Sequence, residues 1–262
     1  TADGRKANLF ATVGPKDVPG VMLSGHTDVV PVDGQNWSTD PFRMRLSRGR
    51  IYGRGTADMK GFIACVLSLV GRMAGAKLSK PIHLAFSHDE EVGCIGVRSL
   101  INELEKRPVK PGCAIVGEPT LMRLAIGHKG KIAARATCRG VDGHSALAPK
   151  ALNAIHLACD FVRFIRESQE EIVETGARDE GYDVPYTTLH VGRIEGGSAL
   201  NIVPGKCTID FEIRNIGRDD ATAILDRLAE GAARIAMKRR SAFPQADIRV
   251  DVVNEYPGLT TP

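Results

Sequence analysis

The chain has 262 residues, 43% of them hydrophobic and 25% charged, proportions that fit a folded globular protein and exclude extensive disorder. With 35 Lys plus Arg against 31 Asp plus Glu, the net charge is +4, too small to argue for nucleic-acid or membrane binding by bulk electrostatics. No apolar run in the sequence approaches the ~20 residues that span a bilayer. Six cysteines (Cys65, Cys94, Cys113, Cys138, Cys159 and Cys207) stand singly, with no C-x-x-C pair. This excludes a zinc ribbon and a dense disulfide framework, and it predicts a reducing, cytoplasmic setting with most of these residues buried.

In chain order, Gly20–Gly25 reads as a buried strand, and residues 59–73 place Met59, Phe62, Ile63, Val66, Val70 and Met73 at helical spacing. Pro81–Phe86 reads as a second strand, 96–106 as a helix and Cys113–Gly117 as a third strand. Strands alternating with helices predict an α/β unit with a mostly parallel sheet. From about residue 128 the rhythm changes: strand Lys131–Arg139, a helix from Ala151 to about Glu167, strands Thr187–Ile194 and Lys206–Arg214, helix Asp219–Met237 and strand Ala246–Val253. That order, β-α-β-β-α-β, is the ferredoxin-like signature. The polar stretch 168–185 reads as an exposed loop. The expected domains are 1–126, 127–253 and a return segment, 254–262.

Acidic and imidazole residues cluster just past the predicted strands. His26 and Asp28 follow the first, Glu90 and Glu91 the second and Glu118 the third, while Asp58 sits in the loop that opens the first helix. In an open α/β sheet the carboxyl ends of parallel strands share one edge, where ligands bind, so these residues are expected to meet in space. Imidazole nitrogen and carboxylate oxygen are zinc donors, and one carboxylate can bridge two ions. One His with several carboxylates packed together and no cation would carry unpaired charges costing several kcal/mol each, by order of magnitude. Asp28, two residues beyond His26, is expected to accept the second imidazole N–H.

Each feature has a plainer reading. A His-x-Asp at a strand end is commonly a hydrogen-bonded turn, an Asp before a helix an N-cap, and two adjacent glutamates a solvated pair. The conjunction of four at successive junctions favours the metal site. His83, His88, His156 and His190 lack such a setting and read as packing or surface residues. The sequence has no Gly-x-Ser-x-Gly elbow and no nucleotide fingerprint. Asn36-Trp37-Ser38 fits a glycosylation sequon with nothing else indicating secretion.

The segments Ser24–Pro31, Gly53–Gly61, Asp89–Gly93 and Gly117–Thr120, with His26, Asp58, Glu90 and Glu118 marking them, resemble the M20 family of dinuclear zinc amidohydrolases. Gly127–Lys131, Gly143–Ala146 and Gly196–Pro204 resemble most the acetylornithine deacetylases of that family, and next the succinyl-diaminopimelate desuccinylases. The resemblance implies two Zn(II) ions, with Co(II) or Mn(II) compatible. Asp58 would bridge them, with His26 and Glu118 on one and Glu91 on the other. It further implies Glu90 as general base and acid, Asp28 orienting His26, and a cis peptide between Asp58 and Met59. The ferredoxin-like unit would act as a lid and pair two subunits into a homodimer. His144 would then reach the other subunit's active site to stabilise the oxyanion, and Asn201 and Arg214 would hold the substrate's carboxylate.

The implied reaction is hydrolysis of N-acetyl-L-ornithine to acetate and L-ornithine, a step of arginine synthesis. The alternatives are a desuccinylase, aminoacylase or dipeptidase of the same family, or a non-catalytic dimerising or ligand-binding homologue. The family's second metal site also takes a His from a C-terminal segment, whereas this sequence has no His after His190. The expectation is therefore that the sequence is part of a longer protein, and that a molecule ending at Pro262 would have a crippled second site.

Overall fold

The structure, a computed structural model, describes residue 1 and residues 3–260, and its chain divides between Leu124 and Ala125 into two units. The first unit comprises β1 (Leu9–Val13), β2 (Val21–His26), the hairpin β3 (Arg45–Ser47) and β4 (Arg50–Tyr52), α1 (Lys60–Gly75), β5 (Ile82–Ser87), α2 (Ile95–Glu105) and β6 (Cys113–Val116). Its main sheet has the order β1-β5-β2-β6. β2 runs parallel to both β5 and β6, and β1 closes one edge antiparallel to β5. The sheet is thus mostly parallel, as the alternation of strands and helices predicts, with an antiparallel edge strand that short LFATV did not announce. On α1, Phe62, Ile63, Val66 and Val70 pack with Leu23, Leu84 and Phe86. Gly117 follows β6 without a side chain because a β-carbon there would lie 2.1 Å from the Phe62 ring.

The second unit contains β7 (Gly127–His128), β8 (Gly130–Arg139), β9 (Gly143–His144), a 3-10 turn (Ser145–Lys150), α3 (Ala154–Thr175), β10 (Thr188–Gly196), β11 (Ile202–Val203), β12 (Lys206–Asn215), α4 (Ala221–Arg240), β13 (Asp247–Tyr256) and β14 (Leu259–Thr260). Its four long strands form an antiparallel sheet, β10-β12-β8-β13, the ferredoxin-like arrangement. Alternate residues of β8 and β12, among them Ile132, Ala134, Ala136, Ile209, Phe211 and Ile213, pack against Leu157, Phe161 and Ile165 of α3 and Leu228 and Ala232 of α4. Both helices start on a side-chain cap: Asn153 accepts from the Ile155 and His156 N–H groups, and Asp220 from those of Thr222 and Ala223.

Three expectations change. α3 runs to Thr175, so residues 168–175 are helix and the loop is shorter than 168–185. Ser168 is buried, Ile172 packs on the core, Glu171 pairs with Arg227 of α4, and Gln169 bonds the backbone of Thr187 and Leu189. These contacts hold a stretch whose polarity conceals its buried face. Of the cysteines, all free, only Cys138 and Cys207 are buried; Cys65, Cys113 and Cys159 are exposed. Residues 254–260 are built into the second unit, where β13 extends to Tyr256 and β14 pairs with β7; residues 261 and 262 of the expected return segment lie outside the described residues. Among the described residues, no helix is long and apolar enough to cross a membrane.

Candidate metal centre

Because β2, β5 and β6 are parallel, their carboxyl ends lie along one sheet edge, with His26 registered against Ser87 and Ser24 against Val116. His26 is the last residue of β2 and only 2% exposed. Glu90 and Glu91 come three and four residues after β5, and Glu118 two after β6. Thr27 fixes the exit of β2 by donating both its N–H and its hydroxyl to the Ser87 carbonyl, at 2.8 and 3.0 Å. The Asp58–Met59 peptide is cis, as the resemblance implies. Met59, fully buried, accepts the His26 N–H on its sulfur at 3.2 Å, which ties the loop carrying Asp58 to the end of β2.

The imidazole is the hub. His26 Nε2 lies 3.0 Å from Asp58 Oδ1, 3.7 Å from Glu118 Oε1 and 3.9 Å from Glu90 Oε2. Its Nδ1 is 3.0 Å from the Asp28 carbonyl oxygen and 3.6 Å from the Asp28 carboxylate. The backbone of Asp28 therefore makes the hydrogen bond to the ring that the sequence leads one to expect from its side chain. The carboxylate instead accepts the N–H groups of Glu90 and Glu91, at 3.1 and 3.0 Å, and so pins the acidic pair to the His26 loop.

Two triads emerge, His26–Asp58–Glu118 and His26–Glu90–Glu91, each with one donor atom per residue within 4.8 Å of the others. Burial raises the Glu91 carboxyl above its ordinary value, with repulsion from Asp58 and Glu90 adding to it. Burial also raises Glu118, reinforced by Asp58. For His26, burial acts to lower the imidazole, but the charges of Glu118 and Glu90 outweigh it and the net direction is up. Glu91 Oε1 is buried with no hydrogen-bond partner, the kind of orphaned oxygen that asks for a ligand. The residues present fit a divalent cation. An imidazole and several carboxylates are hard-to-borderline donors, and a cation would relieve both the mutual repulsion and the orphaned oxygen.

The other predicted residues belong to the second unit. His144 lies opposite Ile202 in the β9–β11 pair, and its Nδ1 accepts the Ala146 N–H at 3.1 Å. Asn201 is next to it, its carbonyl accepting the Ser145 N–H at 3.0 Å. Arg214 is not brought to this pair within the chain. It lies eight residues along β12 from Lys206, roughly 27 Å at strand rise, where its guanidinium bonds Glu212 Oε1 at 3.1 Å and the Tyr256 hydroxyl at 2.7 Å. One residue at the centre escaped the sequence reading: Cys94, whose thiol donates to Glu90 Oε1 at 3.3 Å. The signal was its place four residues beyond Glu90, on the turn that opens α2.

Residues 22–256 match the model of peptidase family M20/M25/M40. The chain is 36% identical over 209 residues to an acetylornithine deacetylase of Pasteurella multocida (strain Pm70), covering 80% of this chain and 53% of that protein. It is 37% identical over 209 residues to the acetylornithine deacetylase of Shigella sonnei (strain Ss046), with the same coverage. The chain thus spans about half the length of the curated relatives it matches. Among solved structures, its fold is similar to the dipeptidase Dug1p of Saccharomyces cerevisiae (TM-score 0.71, 18% identity, 97% of this chain and 65% of that one). It is also similar to human carnosine dipeptidase 1 (TM-score 0.70, 19% identity, 97% and 66%).

Proposed function

The chain belongs to peptidase family M20/M25/M40, and from that premise we propose that it hydrolyses the amide bond of an N-acyl amino acid at a centre of two divalent cations. The observation that carries this reading is the meeting of His26, Asp58, Glu90, Glu91 and Glu118 at one sheet edge. Asp58 would be the ligand shared by the two ions, as the resemblance implies, with His26 and Glu118 holding one and Glu91, with its orphaned Oε1, holding the other. Zinc is the first choice of ion, and cobalt or manganese suits the same donors. When bound, such ions supply Lewis acidity and bring the pKa of water toward neutrality.

The chain's own residues do the rest. Glu90, a carboxylate at the same edge, takes the proton of the attacking water on Oε2, the oxygen nearest His26, and returns it to the leaving amine. The Asp28 carbonyl holds His26 in one ring orientation, and the Asp28 carboxylate fixes the backbone that presents Glu90 and Glu91. The unit 127–253 acts as a lid and pairs two subunits, His144 donating to the oxyanion in the other subunit's site. Asn201, beside His144, and Arg214 then hold the substrate carboxylate from different subunits, because about 27 Å of strand separates them within one chain.

The substrate is proposed as N-acetyl-L-ornithine, giving acetate and L-ornithine, because the relatives at 36–37% identity are acetylornithine deacetylases. In the full-length, zinc-loaded protein, Glu90→Gln is expected to keep its metal content and lose at least about 100-fold in kcat. Wild-type turnover in that variant excludes Glu90 as the proton carrier. A panel of N-acetyl-L-ornithine, N-succinyl-diaminopimelate and dipeptides decides the acyl group. Preference for either of the latter moves the assignment within the family, and no turnover of any, with no bound metal, favours a non-catalytic homologue.

A further inference from the structure

Glu90 is held at three points. Its N–H donates to Asp28 Oδ1 at 3.1 Å, and its carbonyl accepts the N–H groups of Gly93 and Cys94, each at 2.8 Å. Its carboxylate Oε1 accepts from the Cys94 thiol at 3.3 Å. The first two fix the backbone, while the third alone acts on the group that would carry a proton. Cys94 also occupies a left-handed backbone conformation, φ 54°, where a β-carbon is unfavourable and glycine is the relaxed choice. A side chain kept in such a place, half-buried and turned onto Glu90, points to a role for that side chain.

The geometry points to Cys94 as a positioning residue: its S–H ties up Oε1 of Glu90 and leaves Oε2, the oxygen 3.9 Å from His26 Nε2, as the one that holds and passes the proton. This rests on Glu90 being the proton carrier. The thiol remains protonated at neutral pH and so remains a donor, because burial, and then the hydrogen bond to Glu90, push it up to about 11. Cys94 is thereby set apart from the nucleophilic thiolates, which need a depressed pKa.

The test uses the full-length, zinc-loaded protein and two independent readouts. In steady-state turnover of N-acetyl-L-ornithine, Cys94→Ala is expected to lower kcat about tenfold, with KM and bound zinc unchanged. Cys94→Ser, which restores a donor, is expected to return within about twofold of wild type. A general loss of structure would depress both variants together. The second readout needs no turnover: iodoacetamide labelling of Cys94 at pH 9, followed by peptide mass mapping, in wild type and in Glu90→Gln. Replacing the carboxylate with an amide removes the repelling charge and leaves a weaker, neutral acceptor, so labelling is expected to speed up about threefold or more.

An unchanged labelling rate, a Cys94→Ala enzyme with wild-type kcat, or a serine variant no better than alanine each overturns the assignment. If Glu90→Gln turns over normally while its Cys94 labels faster, the hydrogen bond stands, but the reading of Glu90 as proton carrier falls and takes the positioning role with it.

Discussion

Asp28 binds two backbone N–H groups with one carboxylate and orients the imidazole with its own carbonyl, so a single residue couples the end of β2 to the turn after β5. In Asp28→Asn one oxygen can still accept, but the amide –NH2 then faces a backbone N–H and repels it. The imidazole contact, made by the backbone, persists. The expected outcome is a loose acidic pair beside a correctly oriented His26. Zinc affinity should fall by about 10-fold or more, the effect typical of losing an outer partner of metal ligands, while the unfolding temperature of the metal-free protein shifts little. Competition with a chromophoric chelator measures this, and unaltered affinity would mean that the ligands hold their places without Asp28.

At the level of elements, the packing of the Phe164 ring of α3 against α4 depends on Gly231. A β-carbon there would fall 2.0 Å from Cε1 of Phe164, with two further ring atoms within 2.6 Å. The Phe164 ring also carries the Arg234 guanidinium 5.7 Å from its centroid. Alanine gains about 1 kcal/mol of helix propensity over glycine, but it evicts a partly buried aromatic ring, which costs about 1–3 kcal/mol. Gly231→Ala should therefore destabilise the second unit in wild type and stabilise it in a Phe164→Ala background. Thermal melts of the four proteins of that cycle decide it, and a sign that does not reverse refutes the packing account.

The same helices show what the sequence makes legible. Apolar spacing places α3, α4 and the four long strands, because burial imposes a period that side chains must follow. It loses the last two turns of α3, where the inward positions are Ser168 and Ile172 and the stabilising partners are Gln169 and Glu171, which bond to groups distant in sequence. In the candidate site, His26, Glu90, Glu91 and Glu118 are legible because strand ends are, and Asp58 because it stands just before a helix of clear apolar period. The Asp28 carbonyl contact, the Cys94 thiol and the capture of Arg214 by Tyr256 are not, since each depends on a rotamer or a turn that no periodicity encodes.

For the molecule as a whole, the acidic centre makes stability a function of pH and of metal together. In the metal-free protein Glu91 and Glu118 titrate above their ordinary value of 4.5 and His26 above 6.5. At these three groups the folded state therefore binds more protons than the unfolded one, above pH 4.5 at the carboxyls and above pH 6.5 at the imidazole. Their contribution to stability then falls as pH rises through their titration, because the slope follows the protons bound in the unfolded state minus those bound in the native. A divalent cation takes the deprotonated ligands, so it binds more tightly as pH rises and adds to stability by mass action on the native state alone. The two trends oppose each other. Contributions from groups remote from the centre are common to the loaded and metal-free protein, so the difference between the two isolates the centre. The gap in unfolding temperature between zinc-loaded and EDTA-treated protein should accordingly widen steadily from pH 5 to pH 8, and scanning calorimetry at four pH values reads it directly. A gap that stays constant or narrows would mean that the carboxylates and imidazole at this sheet edge do not share a cation.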